Sequence, residues 1–343
     1  TLAKGSYQLT ISYVGFDAQA VTIELNANRR LDIELVSEAE QLEEVVVTGE
    51  IEQANARNLE MSTNKLDIKV ITRVPAFLGE SDVLKSLLLL PGVSTVGEGA
   101  SGFNVRGGSV GQNLVLLDEA PVYNTSHLFG FFSVFNPDVV KDTKLYKGAV
   151  PSRYGGRLAS LLDVRMKEGN SKKPEVTGGI GTVFSRLAVE APIVKDKASF
   201  IVAARRSYLD VLARPFTDIF SDGAALNFYD LTAKTNWNIN PRNRVYLSGY
   251  FGRDRFLFAK NQGFSWGNST SSFRWNHLFN DRLFANVTTQ FSRYDYRLQF
   301  GDDDVNLFKW NSSISNFIFK PEFTWFVNAR NEVTFGGEAI YYS

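Results

Sequence analysis

From Tyr229 to Asn240 the chain alternates strictly. Tyr229, Leu231, Ala233, Thr235, Trp237 and Ile239 fall on one face, and Asp230, Thr232, Lys234, Asn236, Asn238 and Asn240 on the other. A period of two marks a β-strand with one apolar face. The pattern returns at Leu283, Ala285, Val287 and Phe291 opposite Asn286, Thr288, Gln290 and Ser292. It returns again at Phe317, Phe319, Phe323 and Trp325 opposite Asn316, Lys320, Glu322 and Thr324, and at Val333, Phe335, Ala339 and Tyr341 opposite Glu332, Thr334 and Glu338. After Ser292 the phase inverts, which marks either a bulge or a strand leaving its apolar layer. Short turns near residues 195–197, 241–243, 280–281 and 328–331 alternate with longer polar connections near 206–225, 260–270 and 301–311.

Tight turns at one end and long loops at the other are the habit of outer-membrane barrels. A soluble β-sandwich also alternates, but it seldom turns so many aromatics outward. A soluble β-rich binding protein or glycan enzyme therefore stands as the rival reading of residues 171–343. About eight strands are expected there. An eight-stranded barrel is filled by its own side chains. Either the preceding unit lies outside a small barrel, or these are the first strands of a barrel of about 22 strands with a plugged lumen.

Ahead of this region the pattern differs. Tyr7, Leu9, Ile11 and Tyr13, then Val21, Ile23 and Leu25, then Leu31, Ile33 and Leu35 read as three strands, the end of a small β-sandwich over residues 1–36. The acidic stretch Glu38, Glu40, Glu43 and Glu44 opens a linker, residues 37–59, in which Val45, Val46 and Val47 form a strand with no partner in the segment. It either adds to a partner's sheet edge or makes one more strand of the opening sandwich. Ser81 is placed to cap a helix through Val83, Leu84, Leu87 and Leu88 that Pro91 and Gly92 end, and Asn136–Pro137 reads as a second helix start. With strands near 114–117, 143–146 and 158–166, residues 60–170 form a compact α/β unit. It holds 12 of the 27 glycines between Gly92 and Gly169, so turns and close backbone approaches dominate it. Aromatics number 12 up to residue 170 and 33 beyond it, with all five tryptophans in the later part, which places a domain boundary there.

Composition narrows the chemistry. The 343 residues carry 37 basic and 37 acidic side chains, two histidines and no cysteine. Thiolate zinc sites, disulfides and multi-histidine metal centres are excluded, and zero net charge gives no global attraction to nucleic acid. No apolar run is long enough for a membrane helix, whereas a barrel shows itself by alternation. The chain begins at Thr1 without methionine or signal sequence, so the natural N-terminus is expected upstream.

Three segments, in order, resemble the TonB-dependent outer-membrane receptors: LEEVVVTG at 42–49, the stretch from Leu87 through PGV (91–93) and FNVRGG (103–108) to LVLLDEAPV (114–122), and KLYKGAVPSRYGGRLASLLDVRMKEG at 144–169. The opening strands resemble the end of the carboxypeptidase-regulatory-like domain often fused to such receptors. The resemblance implies a mainly β chain: a transmembrane antiparallel β-barrel, an α/β plug at 60–170 and an N-terminal β-sandwich remnant. It implies an outer-membrane location in contact with lipid. A periplasmic TonB-type energy transducer would pull on Glu44, Val45, Val46, Val47 and Thr48 to admit a small or oligomeric extracellular substrate, such as a siderophore, glycan, peptide or cobalamin. No catalytic residue, metal or cofactor is implied. A receptor of the same architecture that signals or serves a surface assembly is the alternative. The plug of the glycan-importing branch, which partners a surface lipoprotein, ends in small residues and an isoleucine–threonine run; SRYGGRLASLLDVRMKEG stands here instead, so that partner is not carried over.

Within the plug, Arg106 with Gly107 and Gly108 is expected to point a cation from a tight turn at a carboxylate, anchoring plug to wall. APVYNTSHLFGFF (120–132) gathers Tyr123, Asn124, His127 and Phe129, a mixture suited either to gripping a ligand with apolar and polar parts or to packing against the wall. Glycines 97, 99 and 102 match a dinucleotide fingerprint with Asp118 near the ribose-acid spacing, but FNVRGG follows where a helix must begin. No G-x-S-x-G elbow accompanies His127. Asp302, Asp303 and Asp304 lack a calcium loop's spacing and read as a solvated outer loop.

Overall fold

The computed structural model describes residues 5–11, 19–27, 31, 33, 62–74, 81–97, 102–213, 215, 224–259, 262–301, 306–328 and 331–343. They fall into two compact units, residues 1–47 and 48–343. In the first, β1 (Gly5–Ile11) and β2 (Gln19–Leu25) pair antiparallel with Tyr7 opposite Ile23 and Leu9 opposite Val21. Of the third expected strand, Leu31 and Ile33 are described and neither is in a strand. The 42–49 segment and the 302–304 aspartates lie outside the described residues.

The second unit begins with a small α/β body. It contains β3 (Thr63–Asp67), α1 (Ile68–Ile71), α2 (Val83–Leu87), the hairpin of β4 (Val93–Thr95) and β5 (Phe103–Val105), then β6 (Asn113–Leu117) and β7 (Ala120–Pro121). A second small hairpin, β8 (Ser126–His127) with β9 (Phe132–Ser133), precedes β10 (Val140–Tyr146) and β11 (Ser160–Met166). The five-stranded sheet runs β3-β10-β11-β6-β7, with the β11–β6 pair parallel. The apolar runs of β6 and β11 are buried on both faces, which explains why they read as near-continuous and not alternating. Asp82, not Ser81, caps α2: its carboxylate accepts the Lys85 N–H at 3.0 Å. Asn136–Pro137 starts no helix. The Asn136 side chain accepts the Asp138 N–H at 3.0 Å and the chain turns into β10 at Val140, which leaves no length for a helix.

The remainder is one antiparallel sheet in chain order: β12 (Glu175–Ile180), β13 (Phe184–Val194), β14 (Ala198–Ser207), β15 (Ala225–Asn240), β16 (Asn243–Ala259), β17 (Gln262–Asn280), β18 (Leu283–Phe300), β19 (Phe308–Asn328) and β20 (Asn331–Gly336). Helix α3 (Leu209–Ala213) follows β14. β21 (Ala339–Tyr342) also pairs with β19 and continues the line of β20 past a break at Gly336–Gly337, where the Gly337 N–H donates to the Pro321 carbonyl at 3.1 Å. Nine strand positions therefore stand where about eight were expected. The connection expected over 260–270 is instead strand: Ala259 already faces Gln262, and β16 and β17 form one long hairpin.

Alternation translates directly into two faces. Leu231, Trp237, Leu247, Phe273, Phe317 and Trp325 point outward and stand exposed, while Asp230, Thr232, Lys234, Asn236, Thr288 and Gln290 point inward and are buried by the α/β body. An apolar outer face over a polar inner one is the arrangement of a wall in lipid. On β15 that face runs eleven residues, from Tyr229 to Ile239. At the usual rise and tilt of barrel strands this spans about 24 Å of membrane thickness. β18 and β19 pair without a register shift from Phe300–Phe308 to Leu283–Trp325, so the inversion after Ser292 is no bulge. The strand has left the lipid.

Candidate functional site

The turn between β6 and β7 has two residues, Asp118 and Glu119, at φ of 46° and 77°. Positive φ at both central positions is the geometry of a tight hairpin turn, and acidic Asp tolerates it. The turn presents two carboxylates to the wall. Asp118 receives Lys234 Nζ from β15 at 2.8 Å and the Met166 N–H at 3.0 Å. Glu119 accepts Arg165 and, from β17, Arg274, each at 3.0 Å, and the Thr288 hydroxyl of β18 at 2.8 Å. Burial alone would raise the Glu119 carboxyl; Arg165 and Arg274, helped by the Thr288 hydroxyl, outweigh it and hold it at about 2.

A second clamp sits at the β8–β9 hairpin. His127 Nδ1 lies 2.7 Å from the Asp254 carboxylate of β16 and Nε2 lies 3.1 Å from that of Asp230 on β15. The Tyr250 hydroxyl is 3.2 Å from Nε2, and the ring stacks on Phe228 at 4.3 Å between centroids. Asp254 also accepts the Leu128 N–H at 2.9 Å, while Arg205 of β14 bonds Asp230 at 2.5 Å and the Ser133 carbonyl at 2.9 Å. Desolvation would lower the imidazole, but Asp254 and Asp230 outweigh it and raise it to about 9, so both ring nitrogens donate. Further bonds extend the seam. Asn124 and Asn268 exchange backbone and side-chain bonds at 3.3 and 2.7 Å, Ser292 donates to the Pro121 carbonyl at 2.5 Å, Arg186 pairs with Asp138, and Arg244 pairs with Glu168.

Of the residues singled out for a ligand, His127 is 1 % exposed and clamped. It cannot touch a ligand without the hairpin leaving the wall, so the ligand-gripping expectation gives way to wall packing at this position. Asn124 is likewise engaged with the wall. Tyr123 lines a cavity of about 270 Å³ between plug and wall with Glu119, Tyr154, Asn316 and Lys320. Phe129 stands at the plug's apex, edge-on to Phe256, Phe264 and Trp266 at 5.0, 5.5 and 5.3 Å. It meets a change in the wall's inner face. Beside the plug that face is polar; above it, inward positions carry Phe256, Phe264, Trp266, Tyr294, Tyr296 and Trp310. The phase inversion of β18 is the edge of this aromatic vestibule.

Arg106 is exposed, with φ of 49°, and its described bond is to the Ser62 hydroxyl at 3.4 Å inside the plug. The carboxylate expected for it is not among its described contacts; Asp118, Glu119 and His127 make the buried charge contacts with the wall. Gly108 serves a close approach instead, since a Cβ there would lie 2.4 Å from that of Ala159. The glycine run ending at Gly102 leads into strand β5, so no helix N-terminus is offered to a dinucleotide. The 44–48 residues lie outside the described residues. Composition does not single out the plug's acidic turn: its signal is two acids between two apolar strands, with the cations Lys234 and Arg274 on inward faces of the wall.

A plug-like body fixed to the polar inner face of an antiparallel wall with an apolar outer face is the arrangement of a stoppered outer-membrane barrel. Residues 44–160 match the family model described as the TonB-dependent receptor plug domain. A point variant of the ferric enterobactin receptor of Pseudomonas aeruginosa superposes with a TM-score of 0.61 at 13 % identity, over 85 % of this chain and 50 % of that one. The siderophore receptor PirA of Acinetobacter baumannii gives 0.61 at 13 % over 82 % and 48 %, and the outer-membrane transporter YddB of Escherichia coli 0.57 at 14 % over 82 % and 48 %. A search of curated protein sequences finds no match. The chain spans about half the length of these solved structures. Residues 44–160 thus carry the plug-domain match, and the wall has the barrel fold of these solved structures.

Proposed function

We propose that this chain is part of an outer-membrane active transporter whose plug closes the passage until a periplasmic TonB-type partner pulls on residues 44–48. The observation that carries this reading is the seam of buried charges: a stopper held by Asp118–Lys234, Glu119–Arg274 and His127–Asp230/Asp254 moves only if work is done on it. No covalent chemistry is needed, and the work comes from the partner. Val45–Val47 add to the partner's sheet through main-chain hydrogen bonds, a handle indifferent to side chains. The ligand rests in the vestibule on Phe129 and the wall aromatics, whose flat faces suit a molecule with apolar surfaces; the solved relatives named for siderophores make a ferric siderophore the first probe.

Val46→Pro removes one donor from the added strand. Energised uptake is expected to vanish in cells carrying the full receptor while ligand binding to the purified protein is unchanged; normal uptake by this variant overturns the handle. A second reading, signalling or surface assembly, draws on residues 1–47 forming a compact unit of their own. Deleting residues 42–49 separates the two, since an assembly role survives the deletion and uptake does not.

A further inference from the structure

The outer face above the apolar band is basic. On β16, Phe251 is followed at the next outward positions by Arg253 and Arg255; on β18, Phe291 is followed by Arg293, Asp295 and Arg297; on β19, Lys309 occupies the matching outward position near the strand's start. Their direction is fixed by the inward partners between them: Asp254 meets His127 and Phe256 meets Phe129 in the plug, so Arg253 and Arg255 face away from it.

One acid stands among these cations in the described residues, and it is already engaged. Arg253 Nη2 reaches both oxygens of Asp295 at 2.8 and 2.7 Å, crossing β17 at Gly267, the residue paired with both. At Gly267 a Cβ would lie 2.7 Å from the Gly252 carbonyl oxygen, too close for a side chain, and 3.4 Å from the crossing Arg253 guanidinium. Arg255 and Arg297 flank Ser265 in one row across three strands. Arg297 bonds only a neutral partner, the Asn311 carbonyl oxygen at 3.1 Å, and Arg255 has no ion-pair partner among the described residues. Both line, with Arg253, Leu257, Phe264, Ser265 and Gln299, a cavity of about 200 Å³. Like charges converging on one concavity repel unless an anion is shared between them, and guanidinium forks match a phosphate's oxygens.

Position chooses the anion's source. The Arg255–Ser265–Arg297 row lies on the lipid side of the wall, two to three outward positions beyond Phe251 and Phe291, at the depth of the outer leaflet's headgroups. A substrate passing through the vestibule travels on the other face. We propose that Arg255 and Arg297, with Ser265 and Gln299, form a site for the phosphate headgroup of an outer-leaflet lipid. The site rests on the outer-membrane reading of the wall.

The test uses the full receptor, purified in a neutral detergent, with phosphorylated lipid A and its phosphate-free form as probes and native mass spectrometry as readout. The wild-type protein is expected to retain the phosphorylated lipid, and the Arg255→Gln/Arg297→Gln variant to lose at least about ten-fold in retention. Arg282→Gln, at the opposite rim, is expected to behave as wild type. Equal retention by the double variant, equal binding of the phosphate-free lipid, or displacement by inorganic phosphate as effective as by the lipid each overturns the site. Flotation of each protein with the outer-membrane fraction is scored separately. Wild-type flotation without phosphate-dependent retention sinks the lipid site and leaves the transporter reading standing.

Discussion

His127 shows how one residue is turned from a titrating side chain into a fixed cation. Its ring is buried between two carboxylates and one aromatic face, and each carboxylate has a second partner of its own: Leu128 N–H for Asp254 and Arg205 for Asp230. Removing the imidazolium would leave Asp254 buried with the Leu128 N–H as its described partner, and broken buried pairs cost about 3–5 kcal/mol. His127→Asn is therefore expected to loosen the 126–133 hairpin, read as faster amide hydrogen exchange there with the wall strands unchanged. The pH dependence has a definite sign. Because the folded His127 lies at about 9, above its ordinary 6.5, its contribution is complete below 6.5 and is lost as pH rises through 9. Glu119, depressed to about 2, contributes fully above its ordinary 4.5 and fades as pH falls through 2. Wild-type exchange in the hairpin, corrected for intrinsic rates, should accelerate on crossing pH 9, and His127→Asn should flatten that step. An indifferent wild type would sink the clamp.

At the scale of the strand, β16 makes room for that ring through a small residue. Its inward row reads Tyr250, Gly252, Asp254, and a Cβ at Gly252 would lie 2.1 Å from the Tyr250 hydroxyl and 3.2 Å from His127 Cε1. Gly252→Val should push the hairpin off the wall and expose it to protease, while Gly249→Val, on the outward row with its nearest neighbour at 3.4 Å, should not. Equal protease resistance of the two variants would refute the recess. Strands of this kind are legible, because a period of two names both faces at once, and the polar row of β15 follows from its alternation alone. What those polar residues hold was not legible. Lys234 and Asp118 are 116 positions apart in the numbering, and no local pattern pairs them. Asp118 reads as a ribose acid and Arg106 as an anchor because glycine-rich surroundings resemble binding loops; the buried charge contacts with the wall come from a two-residue turn whose aim appears only when the sheet is built. The Asn136–Pro137 helix failed for a related reason, since a strand four residues on claims the chain first.

For the whole molecule, the five tryptophans map the membrane. Trp237, Trp275 and Trp325 occupy outward rows near the short-turn rim, and Trp266 and Trp310 occupy inward rows at the other end, above the plug. Tryptophan prefers the interface of an apolar band, so the first three mark the rim at the periplasmic side, while the other two belong to the vestibule above the plug. In the full receptor reconstituted into bilayers, single-tryptophan versions divide accordingly. Bromine atoms on the lipid chains should quench residues 237, 275 and 325 and spare 266 and 310. A water-soluble quencher should reach Trp310, which is 57 % exposed, more readily than Trp266, which is 7 % exposed beneath Phe129. Saturating the vestibule with substrate should then shield Trp310 from the soluble quencher without altering the lipid-side set. Lipid quenching of Trp310, or none at Trp237 and Trp325, would mean that the sheet turns its other face to the bilayer. In that case the charged seam, and not the aromatic band, would face hydrocarbon, an arrangement the buried carboxylates of Asp230 and Asp254 could not survive.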